Sequence, residues 1–193
     1  MKSICVFCGS SAGTNPIYAE YAKKLGSTIA HSDLRLIYGG GNVGLMGIIA
    51  DQVLKFEGEV TGVIPHFLFE WEVGHTGLTE LIKVESMHER KKIMSELADG
   101  FIAMPGGFGT LEELGEILTW VQLSIIQKPV GILNVNGFYD SLINQLNLMV
   151  KEGFLKQENR NMLITHSQPA DLINLMQNYK LAPTTKWISP EQS

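Results

Sequence analysis

The segment Pro105–Glu113, with the sequence PGGFGTLEE, joins a glycine-rich turn to two carboxylates. The apolar run Phe101–Met104 predicts a buried strand that ends in this turn, and a helix is predicted from Thr110 onward. Unpaired N–H groups and the positive end of the helix dipole meet at such an N-terminus, so the turn is suited to bind a phosphate. Glu112 and Glu113 lie one turn into the helix, where a carboxylate repels phosphate unless it takes part in chemistry.

The composition of the turn narrows the kind of phosphate site. Gly106, Gly107 and Gly109 let the backbone approach a phosphate closely. The Lys-Ser/Thr pair of a nucleoside-triphosphate P-loop does not follow them, which argues against kinase or ATPase chemistry.

A second polar cluster, Met87–Lys92, opens the helix predicted after the strand Leu81–Val84. Arg90 offers a planar fork that suits a phosphate or carboxylate, and Lys91 offers a point charge. A solvated, salt-bridged helix start is the alternative for any charge run, and it is the interpretation kept for Lys92. Arg90 is predicted to neutralise the carboxylate or to hold the ligand. His88 is predicted to be a helix-capping or packing residue.

Two more loops follow predicted strands. The segment Gly39–Gly47 formally matches a dinucleotide fingerprint, but an acidic residue does not close the next strand, so a nicotinamide site is not expected. Close packing and a second phosphate-facing loop are equally good explanations of Gly40 and Gly41. Ser10 follows the first strand and belongs to the same edge of the sheet.

Cys5 and Cys8 form a C-x-x-C pair within and at the end of the first predicted strand. A redox pair normally follows the strand and opens a helix, and a zinc site would need histidines from elsewhere. Two small buried side chains in a central strand are the favoured interpretation.

Strands and helices alternate along the chain, which predicts one α/β domain over residues 1–180 with a doubly wound parallel sheet, Rossmann-like, and helices on both faces. Residues 181–193, rich in Pro, Thr and Ser, are predicted to be a loose tail. The predicted strands are Ser3–Phe7, Leu34–Tyr38, Val60–Ile64, Leu81–Val84, Phe101–Met104, Val130–Leu133 and Met162–Thr165. The predicted helices are Pro16–Ala30, one ending near Phe56, Met87–Ala98, Thr110–Ser124, Phe138–Glu152 and Pro169–Asn178, and the segment Phe67–Thr79 is predicted to be a loop or short helix.

Composition limits the function classes. The chain has 193 residues, is 45% hydrophobic and carries a formal net charge of −5, which argues against a general nucleic-acid binder. Every long apolar stretch is broken by Gly, Pro or charge, so no membrane span is expected. The N-terminal apolar run is too short for a signal peptide, and a cytoplasmic location is expected.

These motifs together resemble the LONELY GUY (LOG) phosphoribohydrolases, cytokinin-activating enzymes often labelled "lysine decarboxylase". The resemblance spans nearly the whole chain, and the PGGxGTxxE motif with its partner arginine is highly specific. The segments that carry it are Cys8–Ser11, Tyr38–Gly47, Met87–Lys91, Pro105–Glu113, Leu118–Leu123 and Lys128–Gly131.

The resemblance implies hydrolysis of the N-glycosidic bond of a nucleoside 5′-monophosphate, AMP or an N6-modified AMP, to free base and ribose 5-phosphate. It also implies a homodimer without a metal or redox cofactor. Arg90 and Glu113 match the family's catalytic pair. The positions that match substrate contacts are Lys91, the loop Gly107–Glu113, Thr119 and Glu72. Molybdenum-cofactor carriers share such glycine loops, so a non-catalytic carrier of nucleotide or cofactor is the alternative.

The residues fit this chemistry independently. Cleavage of the bond leaves an oxocarbenium-like ribose. A carboxylate near C1′ can stabilise its positive charge, orient a water as general base, or attack the ribose itself. Glu113 is assigned this role, with Arg90 keeping it ionised and oriented, and Glu112 contacts ribose or caps the helix. Decarboxylation commonly needs a lysine that binds pyridoxal phosphate, and Lys91 is the one lysine expected near the site. The sequence does not identify the preferred base.

Overall fold

A computed structural model describes residues 1–69 and 74–180, and in these residues seven parallel strands form one sheet in the order β4-β3-β2-β1-β5-β6-β7. The predicted parallel α/β sheet with helices on both faces is confirmed. The strands are β1 (Ser3–Phe7), β2 (Arg35–Tyr38), β3 (Val60–Pro65), β4 (Glu80–Val84), β5 (Phe101–Ala103), β6 (Val130–Leu133) and β7 (Leu163–His166).

The helices divide between the two faces of the sheet. Helices α1, α2 and α8 cover one face, and α4, α5 and α6 cover the other. The helices are α1 (Ile17–His31), α2 (Gly44–Lys55), α3 (His66–Phe69), α4 (Met87–Leu97), α5 (Phe108–Gln122), α6 (Asp140–Lys151), α7 (Gln157–Arg160) and α8 (Pro169–Gln177), with a 3₁₀ turn at Val135–Gly137. In the described part of the chain no helix is both long and apolar enough to cross a membrane.

Strands β1 and β5 lie side by side at the centre of the sheet, and the chain winds outward from them in both directions. Every residue of β1 and β5 is buried, as expected for strands covered on both faces. Strand β4 lies at the edge, and of its residues only Val84 is buried. The gap between the carboxyl ends of β1 and β5 is therefore the switch point at which such sheets bind ligands.

The structure differs from the sequence prediction mainly at short elements and helix ends. Helix α5 begins at Phe108, two positions before the predicted start, because Gly107 is extended and serves as the N-cap. The 3₁₀ turn and α7 were not predicted, since a single turn is too short to show a hydrophobic period. The predicted tail, residues 181–193, lies outside the described residues.

The two cysteines are buried free thiols, as predicted. Cys5 packs into the core on the α4–α5 face and Cys8 into the core on the α1–α2 face, so they lie on opposite sides of the sheet. Burial raises the pKa of both thiols, and the negative charge of Glu113 raises each further. Buried thiols held protonated in this way are packing residues rather than nucleophiles.

Side chains satisfy the backbone groups at both ends of α4. Ser86 Oγ accepts the Glu89 N–H at 3.1 Å, and Glu89 Oε2 accepts the Glu85 N–H at 2.9 Å. This is the S-x-x-E pattern of a helix start, so Ser86 is the cap and the expected capping role of His88 is wrong. At the other end, Lys128 Nζ donates to Ser95 O at 2.7 Å. Helix α4 is thereby fixed in position on the sheet.

Two loops at the carboxyl edge support each other at Gly44. The Leu45 N–H donates to Gly9 O at 3.1 Å. Gly44 has a φ of +59°, and a β-carbon there would overlap the peptide that joins Ser10 and Ser11. Only glycine combines this left-handed backbone with so close an approach.

Gly44→Ala is expected to destabilise the protein by about 2 kcal/mol or more, because it adds left-handed strain to a steric clash. The matched control is Gly115→Ala, in the middle of α5, where an added β-carbon meets no atom within 4 Å. That change is expected to be neutral or to stabilise by up to about 1 kcal/mol. Urea unfolding of both variants measures the two effects, and equal stability of the two variants contradicts the packing described for Gly44.

Candidate active site

A polar cavity of about 220 Å³ lies at the carboxyl ends of β1, β2 and β5, beside the switch point of the sheet. It has a charged pair, Arg90 from α4 and Glu113 from α5, and a wall formed by the first turn of α5. The remaining lining residues are Val6, Phe7, Cys8, Gly9, Ser10, Gly39, Met46, Met94, Gly107, Phe108, Gly109 and Thr110.

The N-terminus of α5 forms a wall of the cavity that is suited to bind an anion. The first N–H groups of a helix have no partner within it, and the helix dipole places positive potential there. A β-carbon on Gly107 or Gly109 would meet no atom within 4 Å, so packing does not require glycine at either position. The absent side chains instead leave space in which an anion can reach the backbone, as expected for a phosphate loop.

Gly106 has a different reason to be glycine. A β-carbon there would overlap the side chain of Thr110 and lie 2.9 Å from the Gly9 nitrogen. Thr110 is itself buried, and the two residues hold the turn against the loop after β1. Gly106 therefore shapes the turn, whereas Gly107 and Gly109 keep its surface open.

Arg90 is only 6% exposed, so the alternative of a solvated helix start is wrong for this residue. Its Nε donates to Val63 O at 3.0 Å, and its Nη2 donates to Gly39 O at 3.1 Å. A β-carbon on Gly39 would overlap the guanidinium group. A carbonyl within β3 and the carbonyl just after β2 thus fix the fork of Arg90 at the cavity.

Glu113 lines the same cavity from the third position after Thr110. Burial is the largest cause of the raised thiol pKa of Cys5 and Cys8, and the negative charge of Glu113 is the second. The positive charge of Arg90 acts in the opposite direction on the pKa of Cys5. Both charges therefore lie close to the end of β1. Such a site holds a carboxylate and a cation within reach of one bound ligand.

Lys91 points away from the guanidinium of Arg90 and joins α4 to α5. Its Nζ lies 2.6 Å from Glu112 Oε1 and 3.0 Å from Glu116 Oε1, and its side chain is 11% exposed. Burial alone lowers the pKa of Lys91, but the hydrogen bonds to Glu112 and Glu116 outweigh it and the pKa is raised. Lys91 and Glu112 are thus partners of each other in this structure, and neither lines the cavity.

The other positions expected at the site are distributed around it. Ser10 lines the cavity, whereas Gly40 and Gly41 belong to the loop after β2 and do not line it. Thr119 lies on the exposed side of α5, where its hydroxyl donates to Gly115 O at 2.8 Å. Glu72 lies outside the described residues.

A second, largely apolar cavity of about 280 Å³ adjoins the first one. The two share Gly9, Ser10 and Gly107, and the aromatic rings of Tyr18 and Phe138 form part of the second wall. Each cavity alone is smaller than ordinary ligand sites of about 300–1,000 Å³, and together they fall within that range.

Gly39 and Phe108 line the cavity and belong to loops considered in the sequence analysis, but neither was predicted to have a role of its own. Gly39 was quoted within its loop, but its contact with Arg90 joins positions 51 apart and has no local signature. Phe108, the variable position of PGGxGT, exposes 93% of its surface at the mouth of the cavity. The sequence could have indicated this exposure, because Phe108 is a large apolar residue between two glycines in a polar turn.

The chain resembles characterised families over most of its length. A family model described as "Possible lysine decarboxylase" matches residues 46–176, which include Arg90 and Glu113. A probable cytokinin riboside 5′-monophosphate phosphoribohydrolase of Oryza sativa subsp. japonica is 43% identical over 189 residues, covering 95% of this chain and 85% of that protein. A cytokinin riboside 5′-monophosphate phosphoribohydrolase of Arabidopsis thaliana is 44% identical over 179 residues, covering 93% of this chain and 82% of that protein.

Solved structures share the fold. The molybdenum cofactor binding protein of Rippkaea orientalis has a TM-score of 0.69 at 26% identity, covering 92% of this chain and 96% of that one. The Moco carrier protein of Chlamydomonas reinhardtii has a TM-score of 0.68 at 19% identity, over 91% of this chain and 95% of that one, a likeness that shows the fold alone. By sequence, the chain belongs to the LOG family of cytokinin riboside 5′-monophosphate phosphoribohydrolases, whose family model is described as possible lysine decarboxylase.

Proposed function

We propose that this protein hydrolyses the N-glycosidic bond of a nucleoside 5′-monophosphate, AMP or an N6-modified AMP such as a cytokinin ribotide. The products are the free base and ribose 5-phosphate. One observation carries the proposal: Glu113 and Arg90 line the same cavity as the open N-terminus of α5. The names of relatives 43% and 44% identical to this chain support the same activity.

The chemistry follows from the placement of the charges. As the bond between C1′ and the base nitrogen breaks, positive charge develops on the ribose, and the Glu113 carboxylate stabilises it. The hydroxyl of a water ends on C1′ and the proton of that water ends on the base. Glu113 acts by electrostatic stabilisation, as the base that activates this water, or as a transient nucleophile. All three roles need an ionised carboxylate beside C1′.

The phosphate is the handle that orients the substrate. We place it at the N–H groups of Gly107, Gly109 and Thr110, where the open glycines leave room. Binding energy at the phosphate, remote from C1′, fixes the ribose against Glu113 and contributes to turnover as well as affinity. Lys91 contributes by holding Glu112 and α5 in place rather than by forming the cavity wall.

Two other activities fit the residues less well. A pyridoxal-dependent decarboxylase needs a lysine with a lowered pKa, but among the described residues that line the cavity none is a lysine. Lys91 is nearby, and its pKa is raised by its acidic partners. A non-catalytic carrier is favoured only by the likeness to molybdenum cofactor proteins, and it predicts tight binding of ligand without release of base.

We also propose that the protein is a cytoplasmic homodimer that associates through the α5–α6 face. Helix α6, described over its whole length, has no buried residue, and Leu148 and Met149 expose apolar surface on it. Leu123 and Ile125 do the same at the end of α5. Apolar patches of this kind mark interaction surfaces. The free thiols of the chain are compatible with a reducing compartment.

Glu113→Gln is expected to lower release of base by about a hundredfold or more, the usual effect of losing an acid/base or electrostatic group. The purified protein is incubated with AMP, isopentenyl-adenosine monophosphate and other nucleoside monophosphates, and chromatography measures the free base. Glu96→Gln, on the exposed far end of α4, is the matched control and should keep wild-type activity. Wild-type turnover in Glu113→Gln removes Glu113 from the mechanism, and tight binding without any release of base by the wild type favours the carrier.

Arg90→Lys keeps the positive charge but loses the planar fork that donates to Val63 O and Gly39 O. Turnover is expected to fall by about tenfold or more, because a small misplacement of a charged group has large effects on rate. Arg35→Lys, at a partly exposed ion pair with Glu59, makes the same exchange at the opposite end of the sheet and should have no effect. Equal turnover of the two variants contradicts the role given to the Arg90 fork.

Leu123→Glu is expected to shift the protein from dimer to monomer, because it places a charge in the apolar face that we assign to the interface. Leu175→Glu, on α8 and on the opposite side of the sheet, is comparably exposed and should leave the dimer intact. Light scattering after size exclusion measures both masses. A dimer that survives Leu123→Glu but dissociates in Leu175→Glu places the interface on the other face.

A further inference from the structure

His75 is a buried histidine outside the cavity with both ring nitrogens in hydrogen bonds. The residue is 7% exposed. Its Nδ1 accepts the Gly77 N–H at 3.0 Å, and its Nε2 lies 3.0 Å from Asp51 Oδ1. Because Nδ1 is an acceptor, the neutral ring carries its proton on Nε2 and donates it to Asp51. The orientation of the ring is therefore fixed from two sides.

The backbone of His75 reaches the loop after β2. Its N–H donates to Gly40 O at 2.9 Å, and Gly74 pairs with Gly41 as an antiparallel bridge. Gly40 has a φ of +78°, and a β-carbon there would lie 3.0 Å from Ile64. A loop with this many glycines has little stiffness of its own, so external contacts determine its position.

The preceding residue of the same loop holds the guanidinium of Arg90. Gly39 O accepts from Arg90 Nη2 at 3.1 Å, one peptide away from the carbonyl that His75 holds. Asp51, on α2, is 69% exposed at its side chain, so its charge stays hydrated and costs little free energy to maintain. A chain of contacts thus leads from the surface of α2 through His75 and the glycine loop to Arg90.

We propose that His75, oriented by Asp51, is a positioning residue for Arg90: it fixes the Gly39–Gly41 loop and thereby the fork of Arg90 at the cavity. The inference rests on the proposed function for its effect on turnover. Its structural part, the immobilisation of the loop, is independent of any substrate. Gly39 and Gly40 supply adjacent carbonyls. Displacement of the Gly40 carbonyl, which accepts from His75, therefore also moves the Gly39 carbonyl, which accepts from Arg90.

His75→Ala is expected to lower the turnover of nucleoside monophosphate by about 10- to 100-fold, the range for a misplaced group remote from the chemistry. The KM should change less, because the N–H groups of α5 that we assign to the phosphate are not altered. Asp51→Ala should lower turnover in the same direction, and Asp51→Asn, which keeps an oxygen acceptor for Nε2, should restore it. His166→Ala, which removes a more exposed histidine 3.7 Å from Asp171 at the far edge of the sheet, is the control with wild-type turnover.

A double-mutant cycle separates positioning from general stabilisation. If His75 acts through Arg90, His75→Ala should cause no further loss in an Arg90→Lys background, whereas independent effects multiply. Multiplicative losses overturn the proposal, and so does wild-type turnover in His75→Ala. Should His75→Ala fail to fold, His75→Gln, which keeps a donor toward Asp51, and Asp51→Ala provide the same comparison.

Hydrogen exchange tests the structural part without activity. The amides of Gly39–Gly41 should exchange faster in His75→Ala than in the wild type or in His166→Ala. Unchanged exchange there overturns the proposal whatever the kinetics show. Absence of base release by the wild type, in contrast, contradicts the proposed function and leaves the exchange result as the test of the loop.

Discussion

The buried guanidinium of Arg90 is the constraint on which the site depends. A cation that is 6% exposed is costly unless its donors are paired. Here the carbonyl of Val63, within β3, and that of Gly39, just after β2, accept two of its hydrogen bonds. Those carbonyls are fixed in turn by the sheet and by the glycine loop. Helix α4 must therefore begin where Ser86 caps it, so that Arg90 reaches inward while Lys91 reaches α5.

Adjacent cations in α4 have different roles because the helix turns between them. Successive residues point about 100° apart, so one side chain enters the cavity and the next contacts the neighbouring helix. The inward position carries arginine, whose fork suits two fixed carbonyls, and the outward position carries lysine between two carboxylates. The same geometry separates Glu113, in the cavity, from Glu112, which pairs with Lys91.

Local patterns in the sequence predicted the fold and the centre of the site. Alternating strands and helices predicted the parallel sheet, and the glycine turn with Glu113 predicted an acid beside an anion-binding wall. Contacts between distant positions had no such pattern: Arg90 and Gly39 are 51 positions apart, and His75 and Asp51 are 24 apart. The same limit applies to Lys91, which the family resemblance placed among the substrate contacts. The sequence does not show that Glu116 Oε1 lies 3.0 Å from its Nζ.

The glycines show why composition alone does not identify a phosphate loop. Gly106 and Gly39 are required because a side chain would overlap Thr110 or Arg90, so they would be glycine in a protein that binds no anion. Gly107 and Gly109 face open space, and Gly107 serves as the N-cap of α5 in an extended conformation that other residues also adopt. Packing explains the first pair, but it leaves the second pair unexplained. A ligand that must touch the backbone of α5 accounts for Gly107 and Gly109, and the positive end of the helix dipole suits an anion as that ligand.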